Sequence, residues 1–395
     1  MMSRSFLRVF LLFTGCCLLL PSAAAAVPEQ SAFQQMLDSL VANSKTKTPG
    51  AVLAVLTPTA EFSVASGKAV LGATDLDPGT NMQSGDMLRI ASMTKTFLAT
   101  VVLKLAEENK LKLDDKISIY LPAASGSSGN GETATVRNLL NMTSGIFEYY
   151  DNSAYLAAVA ARQPRDAWTA NEIITKYVYG QPGTFRPGLE FKYTNTNSLL
   201  LEMIVRQVTS STLAAQMRRI IFDPLKMANI FMEMAETRSG GFGGLLVRGY
   251  DTGQTPRKDI TEQNDALGLG DGGLISDAPG IARFLRALFK DKTILNADSL
   301  TQMKTIGFTG KEYGLGLEVK QSSTYGTSWG HSGKSAGFQS EMRYYPGRDL
   351  ALVILTNEEN SGSDMIELIL AESLRRLLLC QECLPPRGGW RAITR

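Results

Sequence analysis

The chain has 395 residues, of which 44% are hydrophobic, 20% charged and 8% aromatic. That is the balance of an ordinary globular protein with material for a large core. Its formal net charge is +2, and removing residues 1–26 would take away Arg4, Arg8 and no acid, leaving 38 basic against 38 acidic residues; a neutral chain offers no electrostatic footprint for nucleic acid.

The N-terminus reads as an export signal. Arg4 and Arg8 give a positive start, an apolar run over 9–20 is broken only by Thr14 and Gly15, and Ala23, Ala24, Ala25 and Ala26 supply a cleavage site after Ala26. An uncleaved anchor is the alternative. The run is short for a membrane span, and nothing later is long and apolar enough for one. The expectation is an exported protein, periplasmic or secreted, with no stable membrane span after cleavage.

The spacing of apolar residues predicts an amphipathic helix over 31–43 and short strands over 51–56, 61–65 and 68–73. Residues 96–106 are almost wholly apolar and predict a buried helix. Helical patterns recur over 197–208, 213–221 and 279–289. Strand character returns over 314–319, 338–345 and 350–356, the last two joined by a Pro346-Gly347 turn. A final helix is predicted over 365–379. Strands at both ends and helices between them imply a mixed α/β (α+β) fold. An antiparallel sheet from N- and C-terminal strands is flanked by the terminal helices and interrupted by an all-helical insert. The domain expectation is a signal over 1–26 and a single catalytic unit over 27–380. Its sheet part covers about 27–90 and 300–380, and its helical part about 91–299. A tail follows over 381–395. A groove between the two parts is a natural ligand site.

Four cysteines are present, and Cys16 and Cys17 fall in the signal. Cys380 and Cys383 form a C-x-x-C near the C-terminus. In an oxidising compartment a small disulfide is the plain reading. A redox motif lacks its βαβ context, and a zinc site lacks further ligands.

His331 is the only histidine. This excludes zinc sites built on two or three histidines, H-E-x-x-H among them. A Ser-His-Asp hydrolase would need His331 as its base. There is no G-x-S-x-G elbow and no phosphate-binding G-x-x-x-x-G-K-[ST].

Three short motifs could carry chemistry. Ser92-Met93-Thr94-Lys95 is an S-x-x-K entering the buried helix. Its two polar side chains share a face one turn apart, near free N–H groups and a positive dipole. Such a serine can pass its proton to a neutral lysine. Lowering a lysine by about three units from its reference value near 10.4 costs roughly 4 kcal/mol. Ser44-Lys45-Thr46-Lys47 has the same form in a polar turn before Pro49. Tyr193-Thr194-Asn195 is a Y-x-N, in which tyrosine can relay a proton and asparagine can hold an amide. Tyr150-Asp151-Asn152 repeats that form, and a buried tyrosine with a satisfied hydroxyl is the commoner situation. Gly330-His331-Ser332-Gly333 precedes a strand, where glycine lets a ligand approach the backbone; a lone structural histidine is the alternative.

Together, S-x-x-K, Y-x-N and H-x-G in this order resemble the serine β-lactamase and D-alanyl-D-alanine carboxypeptidase (penicillin-binding) family. The phrases at 139–146, 185–204, 270–288 and 330–346 are similar to that family too, over roughly residues 31–375. The resemblance implies the β-lactamase/transpeptidase-like fold. It implies Ser92 as an acyl-accepting nucleophile, Lys95 as its activator and Tyr193 as the proton shuttle to the leaving group. Asn195 would position the substrate amide. His331 and Ser332 would contact the substrate carboxylate or the Tyr193 hydroxyl. The N–H groups of Ser92 and of Lys334, after Gly333, would form the oxyanion hole. No cofactor and no metal is implied. The expected partner is a small molecule or peptide, a peptidoglycan stem peptide or a β-lactam-like compound. The chain lacks K-[ST]-G, and H-x-G is more like the family's carboxypeptidases, D-aminopeptidases and esterases. The expected function is a D-alanyl-D-alanine carboxypeptidase-like serine hydrolase. An esterase or amidase, a weak β-lactamase and a non-catalytic binding protein are the alternatives. Asp271 stands where a small neutral residue is expected.

Overall fold

A computed structural model describes residues 28–43, 48–73, 77–126, 129–163, 166–236, 247–253, 255–263, 268–359 and 365–379. The expected signal, the Ser44–Lys47 motif, Cys380, Cys383 and the tail lie outside them.

In chain order the strands are β1 (Gly50–Leu56), β2 (Glu61–Val70), β3 (Thr80–Asn81), β4 (Leu88–Arg89), β5 (Ile230–Met232), β6 (Tyr250–Asp251), β7 (Lys258–Asp259), β8 (Leu274–Ser276), β9 (Glu318–Ser322), β10 (Gly326–Ser335), β11 (Phe338–Tyr345) and β12 (Leu350–Thr356). The main sheet has the order β3-β2-β1-β12-β11-β10-β9, and its pairings are antiparallel. The N-terminal hairpin thus joins the C-terminal strands through β1 and β12, with Ala51 opposite Thr356 and Leu56 opposite Ala351.

β1 reads Gly-Ala-Val-Leu-Ala-Val-Leu and is buried along its whole length. An unbroken apolar strand needs cover on both faces, and alternation divides its side chains between two cores. Ala51, Leu53 and Val55 meet the terminal helices Pro28–Val41 and Met365–Leu379. Val52, Ala54 and Leu56 meet the other core, built around the helix Thr94–Glu107. That helix buries nearly every residue from Thr94 to Leu105, because both the sheet and other helices pack around it.

Two sequence expectations are corrected. Residues 61–65 and 68–73 do not make two strands; β2 runs through Gly67 to Val70. Residues 314–317 form a turn, and the strand there is Glu318–Ser322. His331 precedes β11, as expected, and itself lies within β10, a strand that three glycines and three serines hide from hydropathy.

Candidate active site

The main chain enters the site through β4 and a single 3₁₀ turn, Ala91–Met93, before the helix Thr94–Glu107. Ala91 sits at φ 47°, a left-handed conformation that costs a residue with a Cβ about 1–2 kcal/mol. The strained turn brings Ser92 to the cleft between the sheet edge and the helical part. Its cavity of about 710 Å³ is lined by Ser92, Tyr193, Asn195, Asp271, His331 and Lys334, among others.

Lys95 is 2% exposed. Its Nζ lies 2.9 Å from Ser92 Oγ, 2.8 Å from Asn195 Oδ1 and 2.5 Å from the main-chain oxygen of Asp271. A lysine ammonium has three donors, and here three acceptors meet them. A neutral amine keeps two N–H bonds and one lone pair. The Asn195 and Asp271 oxygens can only accept, so they take the two N–H bonds. The lone pair is then left facing the Ser92 hydroxyl, the orientation a base needs.

Asn195 immediately precedes the helix Thr196–Thr209, and its main-chain N–H donates to the Glu148 carboxylate. Tyr193 is 37% exposed, and its ring centre is 5.1 Å from Lys95 Nζ, a cation–π distance. Burial, with Asp271 nearby, raises the Glu148 carboxyl above its usual range, against the hydrogen bonds from Tyr150 and Asn195.

His331 is 2% exposed. Its Nδ1 is 2.6 Å from the Ser332 carbonyl and its Nε2 is 3.0 Å from the Tyr313 hydroxyl. A carbonyl only accepts, so Nδ1 carries the proton, and Nε2 of the neutral ring accepts from Tyr313. Burial pushes the imidazole down to about 4, with the Lys95 charge adding to it and Glu318 opposing. The expected contact from His331 or Ser332 to the Tyr193 hydroxyl is not made. Tyr313 takes the imidazole, and Glu318 takes both the Ser332 hydroxyl at 2.8 Å and the Ser332 N–H at 3.1 Å. With both ring nitrogens engaged, His331 is not a base for Ser92. Burial raises the Glu318 carboxyl, but the Arg343 and Lys320 charges hold it well below the usual range.

The Ser332 N–H points off β10, away from β11, toward Glu318. Strand alternation then turns the Lys334 main-chain N–H and C=O to the same open edge. Gly333 faces inward: a Cβ there would fall 2.4 Å from the Ile90 oxygen and 2.5 Å from Ser340 Oγ. The Ser340 hydroxyl ties to that Ile90 oxygen at 2.8 Å. Glycine therefore sets the distance between β10 and the Ser92 turn.

The structure brings Ser92, Lys95, Tyr193, Asn195, His331, Ser332, Gly333 and Lys334 around one cleft. Tyr150 lines it as well. The Asn152 of the second Y-x-N instead caps the helix Ser153–Ala161, accepting from Ala154 N and Tyr155 N. Sequence reading missed Tyr149, Tyr313 and Glu318, which no motif marks. Asp271 stood out only as a mismatch. Its carbonyl holds Lys95, and its Oδ2 accepts from the Tyr149 hydroxyl at 2.6 Å.

The sequence model of the family described as Beta-lactamase matches residues 31–374. This chain belongs to the beta-lactamase family. It has the fold of that family's serine hydrolases. The Streptomyces D-stereospecific amidohydrolase superposes with a TM-score of 0.73 at 26% identity, covering 89% of this chain and 99% of that one. A D-amino acid amidase from Ochrobactrum anthropi SV3, complexed with L-phenylalanine, gives 0.71 at 26% identity, covering 88% and 98%. Among curated proteins, Protein flp of Staphylococcus aureus (strain N315) is 29% identical over 213 residues, 52% of this chain and 40% of that protein. Penicillin-binding protein 4* of Bacillus subtilis (strain 168) is 26% identical over 292 residues, 70% and 62%. The matches therefore span about two fifths to three fifths of these curated relatives. Among the described residues no helix is long and apolar enough to cross a membrane.

Proposed function

We propose that the protein hydrolyses amide bonds of D-amino-acid derivatives through an acyl-enzyme on Ser92. The observation that carries this reading is the setting of Lys95, whose Nζ lies 2.9 Å from Ser92 Oγ while Asn195 Oδ1 and the Asp271 main-chain oxygen hold it. Ser92 Oγ attacks the substrate carbonyl and its proton passes to Lys95 Nζ. The negative charge that develops on the carbonyl oxygen is met by the main-chain N–H groups of Ser92 and Lys334. Tyr193 gives its hydroxyl proton to the departing nitrogen as the C–N bond breaks, and the proton held by Lys95 passes to Tyr193, which leaves the amine neutral again. Water then attacks the ester and gives a proton to Lys95, which returns it to Ser92 Oγ as the acyl C–O bond breaks and the acid leaves. Asn195 orients both Lys95 and the substrate amide. An export signal over residues 1–26, as the sequence suggests, would put this reaction outside the cytoplasm, where cell-wall peptides carry D-residues.

Two substrate forms share that chemistry. A carboxypeptidase acting on stem peptides would want a cation at position 331 to face the substrate carboxylate. Position 331 instead holds a neutral imidazole beside the Glu318 carboxylate, and Lys320 is drawn to Glu318 at 3.4 Å and Glu341 at 3.7 Å. This favours an uncharged end on the substrate, as in a D-amino-acid amide or ester. The names of the Streptomyces and Ochrobactrum enzymes support the same choice.

The test is intact-mass spectrometry with turnover. Wild-type protein and Ser92→Ala are exposed to penicillin G, D-phenylalanine amide and a peptide ending in D-Ala-D-Ala. The reading expects a penicilloyl adduct on wild type alone, and faster release from the amide than from the peptide. No adduct, with equal turnover in Ser92→Ala, overturns the mechanism. Faster cleavage of the peptide restores the carboxypeptidase form.

A further inference from the structure

Strand alternation sets five polar side chains on one face of the sheet edge: Glu318 and Lys320 from β9, Ser332 from β10, and Glu341 and Arg343 from β11. The cavity that holds Ser92 reaches this face, because Glu318, Lys320, Ser332 and Glu341 line it together with His331. The face lies at the leaving-group end. The ring of Tyr193, whose hydroxyl serves the departing nitrogen, is 6.2 Å from the His331 ring, and Ser332 is the next residue along β10.

The donors of this face already hold a carboxylate of the chain itself. β10 presents Gly330 opposite Glu318, and with no side chain between them the carboxylate leans along β10 to the next residue on that face. Glu318 Oε1 accepts from the Ser332 hydroxyl at 2.8 Å and from the Ser332 N–H at 3.1 Å. Its Oε2 accepts from the Arg343 guanidinium and lies 3.4 Å from Lys320 Nζ. Arg343 also donates to Glu341, and Lys320 is 3.7 Å from that same acid. Two acids thus neutralise two bases. A hydroxyl, a main-chain N–H and a guanidinium converging on one carboxylate is also the way a protein receives a ligand carboxylate.

We propose that Glu318 is the specificity-determining residue of the leaving-group end: its carboxylate stands where a substrate carboxylate would bind, and so selects amides and esters whose departing part carries no negative charge. This rests on the acyl-enzyme reading, which says which end of the cleft receives the leaving group. An incoming carboxylate finds the Ser332 donors in use and a like charge beside them. Without the Glu318 charge the layer keeps Arg343 and Lys320 against Glu341 alone. One net positive charge then stands beside two released Ser332 donors, which suits a terminal carboxylate.

The test compares D-phenylalanyl-D-alanine with D-phenylalanyl-D-alanine amide. The two share the scissile bond and differ in the terminal charge. Chromatography of released D-phenylalanine gives kcat/KM for each. Wild type should prefer the amide-ended compound about tenfold or more. Glu318→Gln removes the charge and keeps the bulk, and should shrink that preference. Glu318→Ala also clears the space, and should reverse it. Glu312→Gln alters an exposed carboxylate that holds the Gln321 N–H outside the cleft, and should retain the preference. A second measurement needs no turnover. Sodium acetate, set against sodium chloride at equal ionic strength, should raise the melting temperature of Glu318→Ala and leave that of wild type in place. A wild-type preference kept by both folded Glu318 variants overturns the proposal. So does an acetate shift of equal size in wild type and Glu318→Ala. If Glu318→Ala does not fold, the substrate ratio of Glu318→Gln decides. A missing penicilloyl adduct on wild type counts against the acyl-enzyme reading instead, and the acetate shift still decides for Glu318.

Discussion

The Tyr149 hydroxyl donates to Asp271 Oδ2 at 2.6 Å, and the main-chain oxygen of the same aspartate receives Lys95 Nζ at 2.5 Å. One residue thus fixes the lysine through its backbone and is itself fixed through its side chain. The tyrosine is fully buried, and burial together with Asp271 holds its hydroxyl protonated well beyond the usual range, so it remains a donor. Tyr149→Phe should leave a buried carboxylate short of one partner, at a cost of about 1–3 kcal/mol. We expect a lower melting temperature and a kcat reduced about tenfold with little change in KM, read by steady-state kinetics on a D-amino-acid amide.

Lys95→Met removes the proposed base, and Asn195→Ala leaves the amine with one acceptor fewer. Proton transfer by a positioned group contributes about 10²- to 10⁴-fold. The lysine variant should lose the upper end of that range. The asparagine variant should lose less, with acylation slowed more than binding. Single-turnover mass spectrometry of the Ser92 adduct separates the two.

Gly333→Ala tests the gap between β10 and the Ser92 turn. The new methyl group meets the Ile90 main-chain oxygen at 2.4 Å, where neither strand nor turn can yield cheaply. A destabilisation of about 1–3 kcal/mol is expected, with loss of turnover. Gly347→Ala is the control, because nothing lies within 4 Å of its added atom. Urea denaturation of the pair gives the comparison.

His331 makes stability depend on pH. Its folded value of about 4 lies below the ordinary 6.5. Between those two values the unfolded chain binds a proton that the folded chain refuses. This contribution is therefore neutral above pH 6.5 and becomes destabilising as pH falls, reaching about 3 kcal/mol near pH 4. His331→Gln should flatten that part of the stability profile, measured by denaturant unfolding from pH 7.5 to 4.5. An unchanged slope would remove the neutral-imidazole assignment.

Arg89 and Glu233 form a buried ion pair at 2.8 Å, 2% and 1% exposed, that ties β4 to the end of β5. Removing one partner of such a pair typically costs about 3–5 kcal/mol. Glu233→Gln should be among the most destabilising single changes in the chain, and the neighbouring Ser92 turn should lose order with it. Hydrogen exchange at Ser92 and Met93 reports the second effect.

Much of this was legible in the sequence because the signals were local. The apolar run of residues 96–106 marks a buried helix, and β1, β11 and β12 announce themselves by hydropathy. Ser92, Lys95, Tyr193 and Asn195 sit in short motifs whose spacing encodes their geometry. The remainder depends on pairings across the chain. Tyr313 and Glu318 meet β10 only because the turn over 314–317 folds back on it. Glu148 reaches the Asn195 N–H, and Asp271 reaches Lys95 across 176 positions. β10 itself was partly hidden because Gly330 and Gly333 are there for closeness and add nothing to a hydropathy pattern.

The pairing of β1 with β12 has a consequence for biosynthesis. Leu56 waits for Ala351, so roughly 300 residues must leave the ribosome before the central ladder can close, and closure that distant is slow. Until then both apolar sides of β1 are without their final cover, a state prone to self-association. The helices around Thr94–Glu107 can consolidate meanwhile, which makes early truncation products a source of aggregates and the late arrival of β12 the step most worth protecting during expression.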